Sequence, residues 1–557
     1  MTTVVQRKDL LALGFLVLIT VIVRVPGVFN RAIWYDEAIT LLETAGNAIP
    51  AWSELPTPAR TQKELLEGSP SLGEVAAGLR ETDVHPPVYY GLLSKWRRIV
   101  GGSIEAARFF SVLCSIASVI LLYLLLRSAR FERPLVPSLV YTLSSGAVHY
   151  AQEARNYALA MSFLLVASFL AYLSTKSEFN SKKFFWLLST AIGVSCGLAF
   201  QTNYLAIFPA FFLLSWFVIW SPKPRMLRTF PAIISSLAIS VAGVATLSAQ
   251  LGARPRQFQR ELGFWRELLK IFNFNIEILW TPTVSNKFLV IVVFAILVLL
   301  AAISFLYIKN SWRNIDKKLF TMMTGLAVAP SLGLLALDLV FSKNLGKSSY
   351  VLFAGPAFAY LLTLAIGHPP ELAVDTSRWP AKRLASVLRY VLPIYIGLQL
   401  TGINFDLERT PGFAGSTLRS LAHRIEASST APVVVIGAGH GRGDPATVIY
   451  ELAPETMVCV IDNDTDLSRL SSELASFDDI WMVFAKGRVT ATIEQSLFED
   501  LTKGDTYHVV SQAKRVAHLT KTRRVSASGC APEATASSHV VSRFSELIKN
   551  QHVTIEQ

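Results

Sequence analysis

About eleven stretches of this chain are long and apolar enough to cross the roughly 30 Å hydrocarbon core of a bilayer. They lie near residues 8–25, 107–126, 134–151, 157–173, 184–200, 203–220, 229–249, 288–308, 319–341, 350–366 and 385–402. In lipid every backbone N–H and C=O must be satisfied within the protein, so such stretches are helices. Composition agrees: 17% of the 557 residues are charged, against about 25% in a soluble protein. The expected fold is a polytopic α-helical membrane protein followed by a smaller α/β domain.

The chain has 52 Lys and Arg against 40 Asp and Glu. In a soluble protein that excess would suggest a nucleic-acid partner. Here eighteen of the cations and six of the acids fall in six short segments, 1–9, 127–133, 174–183, 221–228, 309–318 and 367–384, which hold the entire excess of twelve. By the positive-inside rule these segments are cytoplasmic. The expectation is a multi-pass protein of the plasma (inner) membrane with no nucleic-acid partner, its N-terminus inside and its C-terminal domain outside. Arg7 and Lys8 precede the apolar run Leu10 to Val23, and Arg24-Val25-Pro26-Gly27 has no small-residue cleavage pattern. The run reads as a retained first span.

Two domains follow: 1–402, containing a large first outer loop at 26–106, and an extracytoplasmic α/β domain at 403–557. In the loop, Leu41, Leu42, Ala45, Ile49 and Trp52 recur at helical spacing, a pattern suited to the membrane interface. In the α/β domain, strands are expected at 432–436, 458–461, 480–484 and 507–510, with helices near 446–452 and 492–501. The run Val433 to Gly443 imitates a dinucleotide fingerprint, but Arg442 stands where the third glycine belongs. Cys114 and Cys196 fall in apolar runs and read as packing residues, whereas Cys459 and Cys530 could pair in an oxidising compartment.

A transporter places ionisable groups near the bilayer midplane, yet the span interiors here are nearly free of charge, Asp338 being the main exception. The titratable residues gather where spans emerge outside. Trp34-Tyr35-Asp36-Glu37-Ala38 follows the first span. An adjacent acid pair at a helix start commonly serves the helix dipole, but neighbours diverge by about 100°, so one carboxylate can face a site while the other meets a structural partner. Asp83-Val84-His85-Pro86-Pro87-Val88-Tyr89 is more specific, because two prolines fit only the entry and first turn of a helix. His85 is thereby held at a helix start, with Tyr89 one turn later. Glu153 and Arg155 occupy the turn between the third and fourth spans. Arg254, Arg256, Arg260 and Arg266 lie in an outer loop, against the positive-inside trend, and suit a phosphate or anionic headgroups. Lys343 and Lys347 follow a late span. A divalent cation on Asp36, Glu37 and His85 is compatible with the residue types, although no spacing fixes a ligand geometry.

With these motifs, and with Gly102 to Ser111 entering the second span and Tyr150 to Leu159, the chain resembles the GT-C membrane glycosyltransferases, in the branch of protein O-mannosyltransferases and the aminoarabinose transferase of lipid A. The resemblance covers residues 8–402. It implies a polyprenyl-phosphate sugar donor, an envelope glycan, lipid or protein acceptor, and transfer with inversion at the outer membrane face. It further implies that Asp36 is the general base, supported by Glu37, and that Asp83, His85, Glu153 and Arg155 line the site. Where relatives carry an Arg-Tyr pair, this chain has Ser349-Tyr350, which leaves Lys343 or Lys347 to meet the phosphate with a less directional charge. The rival classes are a flippase or transporter of lipid-linked sugar and an inactive scaffold of the same fold.

Overall fold

The computed structural model describes residues 6–176, 181–221, 227–253, 264–279, 296–305, 308–309, 312–313, 315–341, 348–367, 415–427, 431–438, 443–483, 491–503, 507–513 and 516–521. They form two compact units, one of residues 1–31 and 69–409, the other of 32–68 and 410–557. The boundary expected at 402/403 lies outside the described residues.

In the first unit six described helices are long and apolar enough to cross a membrane: Arg7–Asn30, Ile104–Ser128, Tyr157–Ser174, Lys182–Thr202, Leu227–Gln250 and Lys317–Leu339. Shorter apolar helices run Tyr204–Trp220, Ile296–Phe305 and Leu352–Leu364. The eleventh expected span, 385–402, lies outside the described residues. The first helix buries Leu16, Val23 and Val28 and exposes Leu11, Leu18 and Ile22, as expected of a helix with one face toward lipid. Small polar residues draw the helices together: Ser162 Oγ donates to the Cys114 carbonyl at 2.6 Å and lies 3.0 Å from Ser118 Oγ, a common device between membrane helices.

Two expectations change. The first helix does not end at Val25 but runs through Pro26 to Asn30. A proline inside a helix removes an N–H and disturbs the preceding turn. Here Gln152 Nε2 donates to the carbonyls of Val23 and Arg24, at 3.1 Å each. The approach is possible because residue 27 is glycine: a Cβ there would stand 2.2 Å from the Gln152 side chain. The expected span 134–151 is in turn two helices, Leu135–Leu143 and Ser145–Ala151, broken at an extended Ser144. Arg24 Nη1 donates to the Thr142 carbonyl beside that break, at 2.9 Å, and Arg24 Nε donates to Ser115 Oγ.

The second unit is built on a six-stranded sheet: β1 (Thr57–Pro58), β2 (Val433–Gly437), β3 (Met457–Ile461), β4 (Asp479–Val483), β5 (Tyr507–Ala513) and β6 (Val516–Lys521). The order is β1-β3-β2-β4-β6-β5. The pairs β2–β3 and β2–β4 are parallel, while β1–β3, β4–β6 and β5–β6 are antiparallel. Strands β2 and β4 are buried along their whole length, as parallel strands covered on both faces must be. Cys459 is buried within the sheet, and Cys530 lies outside the described residues. The segment 32–68 belongs to this unit through β1 and through a helix at Tyr35–Ala45 whose Ala38, Leu41 and Leu42 are wholly buried. That helix packs on helix Gly443–Glu451, so its apolar face is covered by protein and not by the membrane interface. It stops at Gly46, whose φ of 84° is a left-handed cap.

On β4 and β6 the rings of Trp481 and His518 stack at 4.1 Å between centroids, and Arg424 lies over the Trp481 ring at 5.4 Å. His518 Nε2 is 3.3 Å from Asp479 Oδ1, which also accepts from Thr520 Oγ1. Burial holds the His518 imidazole below its ordinary value; Asp479 opposes this, while Arg424 and His508 add to it. A depressed histidine stabilises the fold above its unfolded value of about 6.5, and that contribution is lost as pH falls through the folded value. Hydrogen exchange at Val516–Lys521, corrected for its intrinsic pH dependence, is therefore expected to quicken on acidification from neutral pH. His518→Phe should abolish the change; an unaltered pH response in that variant would remove His518 as its cause.

Candidate functional site

In the first unit, Ser71 caps helix Leu72–Thr82, and Asp83 closes it. Pro86 and Pro87 then start helix Pro87–Val100, as their fixed φ requires, so His85 sits in a short rigid connector. Gln250 Nε2 donates to the His85 carbonyl and to that of Leu79, at 3.1 Å each, pinning the connector to helix Phe230–Ala253.

Arg155 Nη2 lies 2.5 Å from His85 Nε2. A guanidinium has no acceptor, so it donates and the ring nitrogen accepts, which puts the imidazole proton on Nδ1. Arg155 Nη1 also donates to the Tyr90 hydroxyl at 3.1 Å, and His85 and Tyr90 stack at 6.2 Å. Asp83 Oδ1 accepts from Val84 N and is 4.0 Å from His85 Nε2. The sequence singles out Tyr89, one turn after His85; it is fully buried with its hydroxyl 3.3 Å from Ser111 Oγ, and Tyr90 is the tyrosine that reaches the arginine.

Glu153 forms the second half of the arrangement. His149 Nε2 lies 3.0 Å and Arg31 Nη2 3.7 Å from its Oε1. Burial by itself would raise this carboxyl, but His149, Arg31 and Arg155 outweigh it and hold the group below its ordinary value. Arg31 Nη1 donates to the His149 carbonyl, and Arg108 Nη1 donates to the carbonyls of Val28 and Arg31. Arg24, Arg31, Arg108 and Arg155 are all at most 3% exposed. Within this network Glu153 pairs with Arg31 and His149, and Asp83 stands beside His85. Isolated buried charge is expensive unless compensated: Arg24 is met by the Thr142 carbonyl and the Ser115 hydroxyl, Arg108 by carbonyls, Arg31 by Glu153 and the His149 carbonyl, and Arg155 by His85 and Tyr90.

Sequence reading did not single out Arg31, Arg108, Tyr90 or Gln250. Arg108 lay within a quoted motif and Tyr90 beside a named residue, but nothing local marks Gln250. Asp36 and Glu37 lie in the second unit, in the first turn of helix Tyr35–Ala45, with Asp36 partly exposed and Glu37 buried. Arg266 is exposed on helix Phe264–Leu279, and Asp338 is buried. Arg254, Arg256, Arg260, Lys343 and Lys347 lie outside the described residues. Among the described residues no group of three or more His, Cys, Asp or Glu is placed to hold a metal ion.

Residues 84–248 match the family model described as dolichyl-phosphate-mannose-protein mannosyltransferase. No curated protein matches the chain in sequence. Two solved structures of ArnT from Cupriavidus metallidurans are similar in fold at 12% identity, each covering 93% of this chain and 99% of its own. One, bound to undecaprenyl phosphate, has a TM-score of 0.50, and the apo form 0.51. The chain therefore has the fold of the GT-C membrane glycosyltransferases, a multi-pass membrane architecture.

Glu153→Leu leaves Arg31 buried without its carboxylate and is expected to cost about 3–5 kcal/mol of unfolding free energy. Arg31→Met combined with Glu153→Leu should cost less than the single change. Thermal unfolding in detergent checks this, and a double variant no more stable than the single would show that the pair is not the cause.

Proposed function

We propose that the protein transfers a sugar from a polyprenyl-phosphate donor to a hydroxyl of an envelope glycan, lipid or protein, with inversion, on the outer face of the plasma (inner) membrane. The observation that carries this reading is the contact of Arg155 with His85 in a connector fixed by two prolines, beside the buried Arg31–Glu153 pair, a grouping of guanidinium and imidazole that suits a phosphate. The fold supports it, since the solved protein that shares it was bound to undecaprenyl phosphate. So does the family match, whose description names a dolichyl-phosphate sugar. The orientation rests on the cationic segments assigned to the cytoplasm.

In the reaction, the acceptor oxygen bonds to the anomeric carbon as its proton passes to a base, and the carbon–oxygen bond to phosphate breaks with its electron pair going to the phosphate. A phosphate monoester has a second pKa near 6, so it leaves without an acid; it needs positive charge as its own negative charge grows. Asp36 is the proposed base and Glu37 its support. Arg155 orients His85, whose Nδ1–H is a donor for a phosphate oxygen, with Asp83, Tyr89 and Glu153 shaping the surroundings. Arg254, Arg256, Arg260, Lys343 and Lys347 are the proposed further cations for the donor.

General-base catalysis contributes about 10²–10⁴-fold, so Asp36→Asn is expected to lower transfer by that factor while donor-lipid binding persists. The measurement is movement of labelled sugar from donor lipid to another molecule in purified membranes. Wild-type turnover by Asp36→Asn would remove it from the mechanism, and sugar that stays on its lipid in the wild type would favour a transporter.

A further inference from the structure

We propose that the α/β unit sets the position of the base, with Glu451 and Gly443 as positioning residues for the helix that carries Asp36. The inference rests on the assignment of Asp36 as base. Residues 32–34 connect to helix Tyr35–Ala45 outside any helix or strand, and Ile33 is only 1% exposed. A buried backbone N–H must find an acceptor. That of Ile33 donates to Glu451 Oε1 at 3.1 Å, across 418 residues of sequence. The other carboxylate oxygen, Oε2, accepts from Arg419 Nε at 3.2 Å, so the carboxylate is clamped between a helix Gly415–Glu426 and the residue three before Asp36.

Gly443, at the start of helix Gly443–Glu451, meets the next point along the chain. A Cβ there would lie 2.8 Å from the Tyr35 ring and 3.0 Å from the Tyr35 carbonyl oxygen. No side chain fits without displacing the residue adjacent to Asp36. At the other end of helix Gly443–Glu451, Lys63 Nζ donates to the Leu452 carbonyl at 2.6 Å. The start of the Asp36 helix is thus fixed by a hydrogen bond on one side and a steric stop on the other. Because successive residues of a helix diverge by about 100°, a small slip of that start re-aims the carboxylate, and a misplacement of about 1 Å can cost 10²-fold in rate.

The test compares Glu451→Ala, Glu451→Gln and Gly443→Ala in the full-length protein with Asp466→Ala. The last weakens the same unit elsewhere, by removing the cap of helix Leu467–Leu474. Undecaprenyl phosphate carrying labelled mannose or arabinofuranose serves as donor, with native membranes as acceptor. Glu451→Ala and Gly443→Ala should lose tenfold or more in kcat per folded molecule with the donor KM unchanged. Glu451→Gln should keep most of its rate, since an amide oxygen still accepts from Ile33, and Asp466→Ala all of it. Hydrogen exchange at Ile33–Ala38 should quicken in Glu451→Ala and not in Asp466→Ala, and decides the matter if neither sugar is used. Unchanged kcat and exchange in Glu451→Ala would overturn the inference, as would an equal loss in Asp466→Ala. Wild-type turnover by Asp36→Asn would instead overturn the base assignment, so the two failures are distinguishable. Should Gly443→Ala not accumulate, Glu451→Ala decides.

Discussion

Guanidinium groups held away from water set the terms for the helical unit. Arg24 and Arg108 are wholly buried, and a charge so placed must be met by polar atoms at close range. The irregularities of the helices supply them: the broken helix at Ser144 offers the Thr142 carbonyl to Arg24, and the end of the first helix offers the carbonyls of Val28 and Arg31 to Arg108. Features that would be defects in isolated helices are thus acceptors for buried cations. Arg31, in the same network, is met by both the Glu153 carboxylate and the His149 carbonyl, and Arg155 by the side chains of His85 and Tyr90.

Arg155 is thus met by two side chains, whereas Arg24 and Arg108 each hold at least one backbone carbonyl. The backbone carbonyls that accept from Arg24 and Arg108 cannot leave, because the backbone is fixed. A side chain bound to a side chain can exchange its partner for a ligand oxygen at modest cost. The His85–Arg155 pair, in a connector stiffened by two prolines, is accordingly the part of the network proposed to meet the donor phosphate, while Arg24 and Arg108 hold the helices around it.

Hydrophobic length alone located the long spans, and the consecutive prolines after His85 located its connector, because both signals are local. What stayed hidden was tertiary. That the first helix continues past Pro26 was not legible, because the rescue by Gln152 comes from another part of the chain. The break at Ser144 has no local signal, since Arg24, which takes the Thr142 carbonyl beside it, is remote in sequence. In the α/β unit, the strands β2, β3 and β4 were legible as apolar runs, but β6 alternates in exposure and carries basic residues that mask it. Helices Gly415–Glu426 and Leu467–Leu474 escaped notice for lack of a long apolar face. Strand β1 is two residues long and acquires its identity only from pairing with β3. The same distance hid the membership of residues 32–68: an amphipathic segment declares that it needs a cover, not which cover it has.

The pairing of Thr57 with Val458, and of Ile33 with Glu451, has a consequence for the order of assembly. During synthesis the N-terminal part of a chain emerges first, yet residues 32–68 cannot complete their unit until some four hundred later residues exist. Closing so long a loop is slow, though its entropic cost grows only with the logarithm of its length. The segment bearing Asp36 therefore spends the making of every span between without its native partners, and becomes ordered only when the last domain arrives. A chain interrupted anywhere in its membrane portion would leave that helix unfinished, which ties the maturation of the proposed base to the completion of the whole polypeptide.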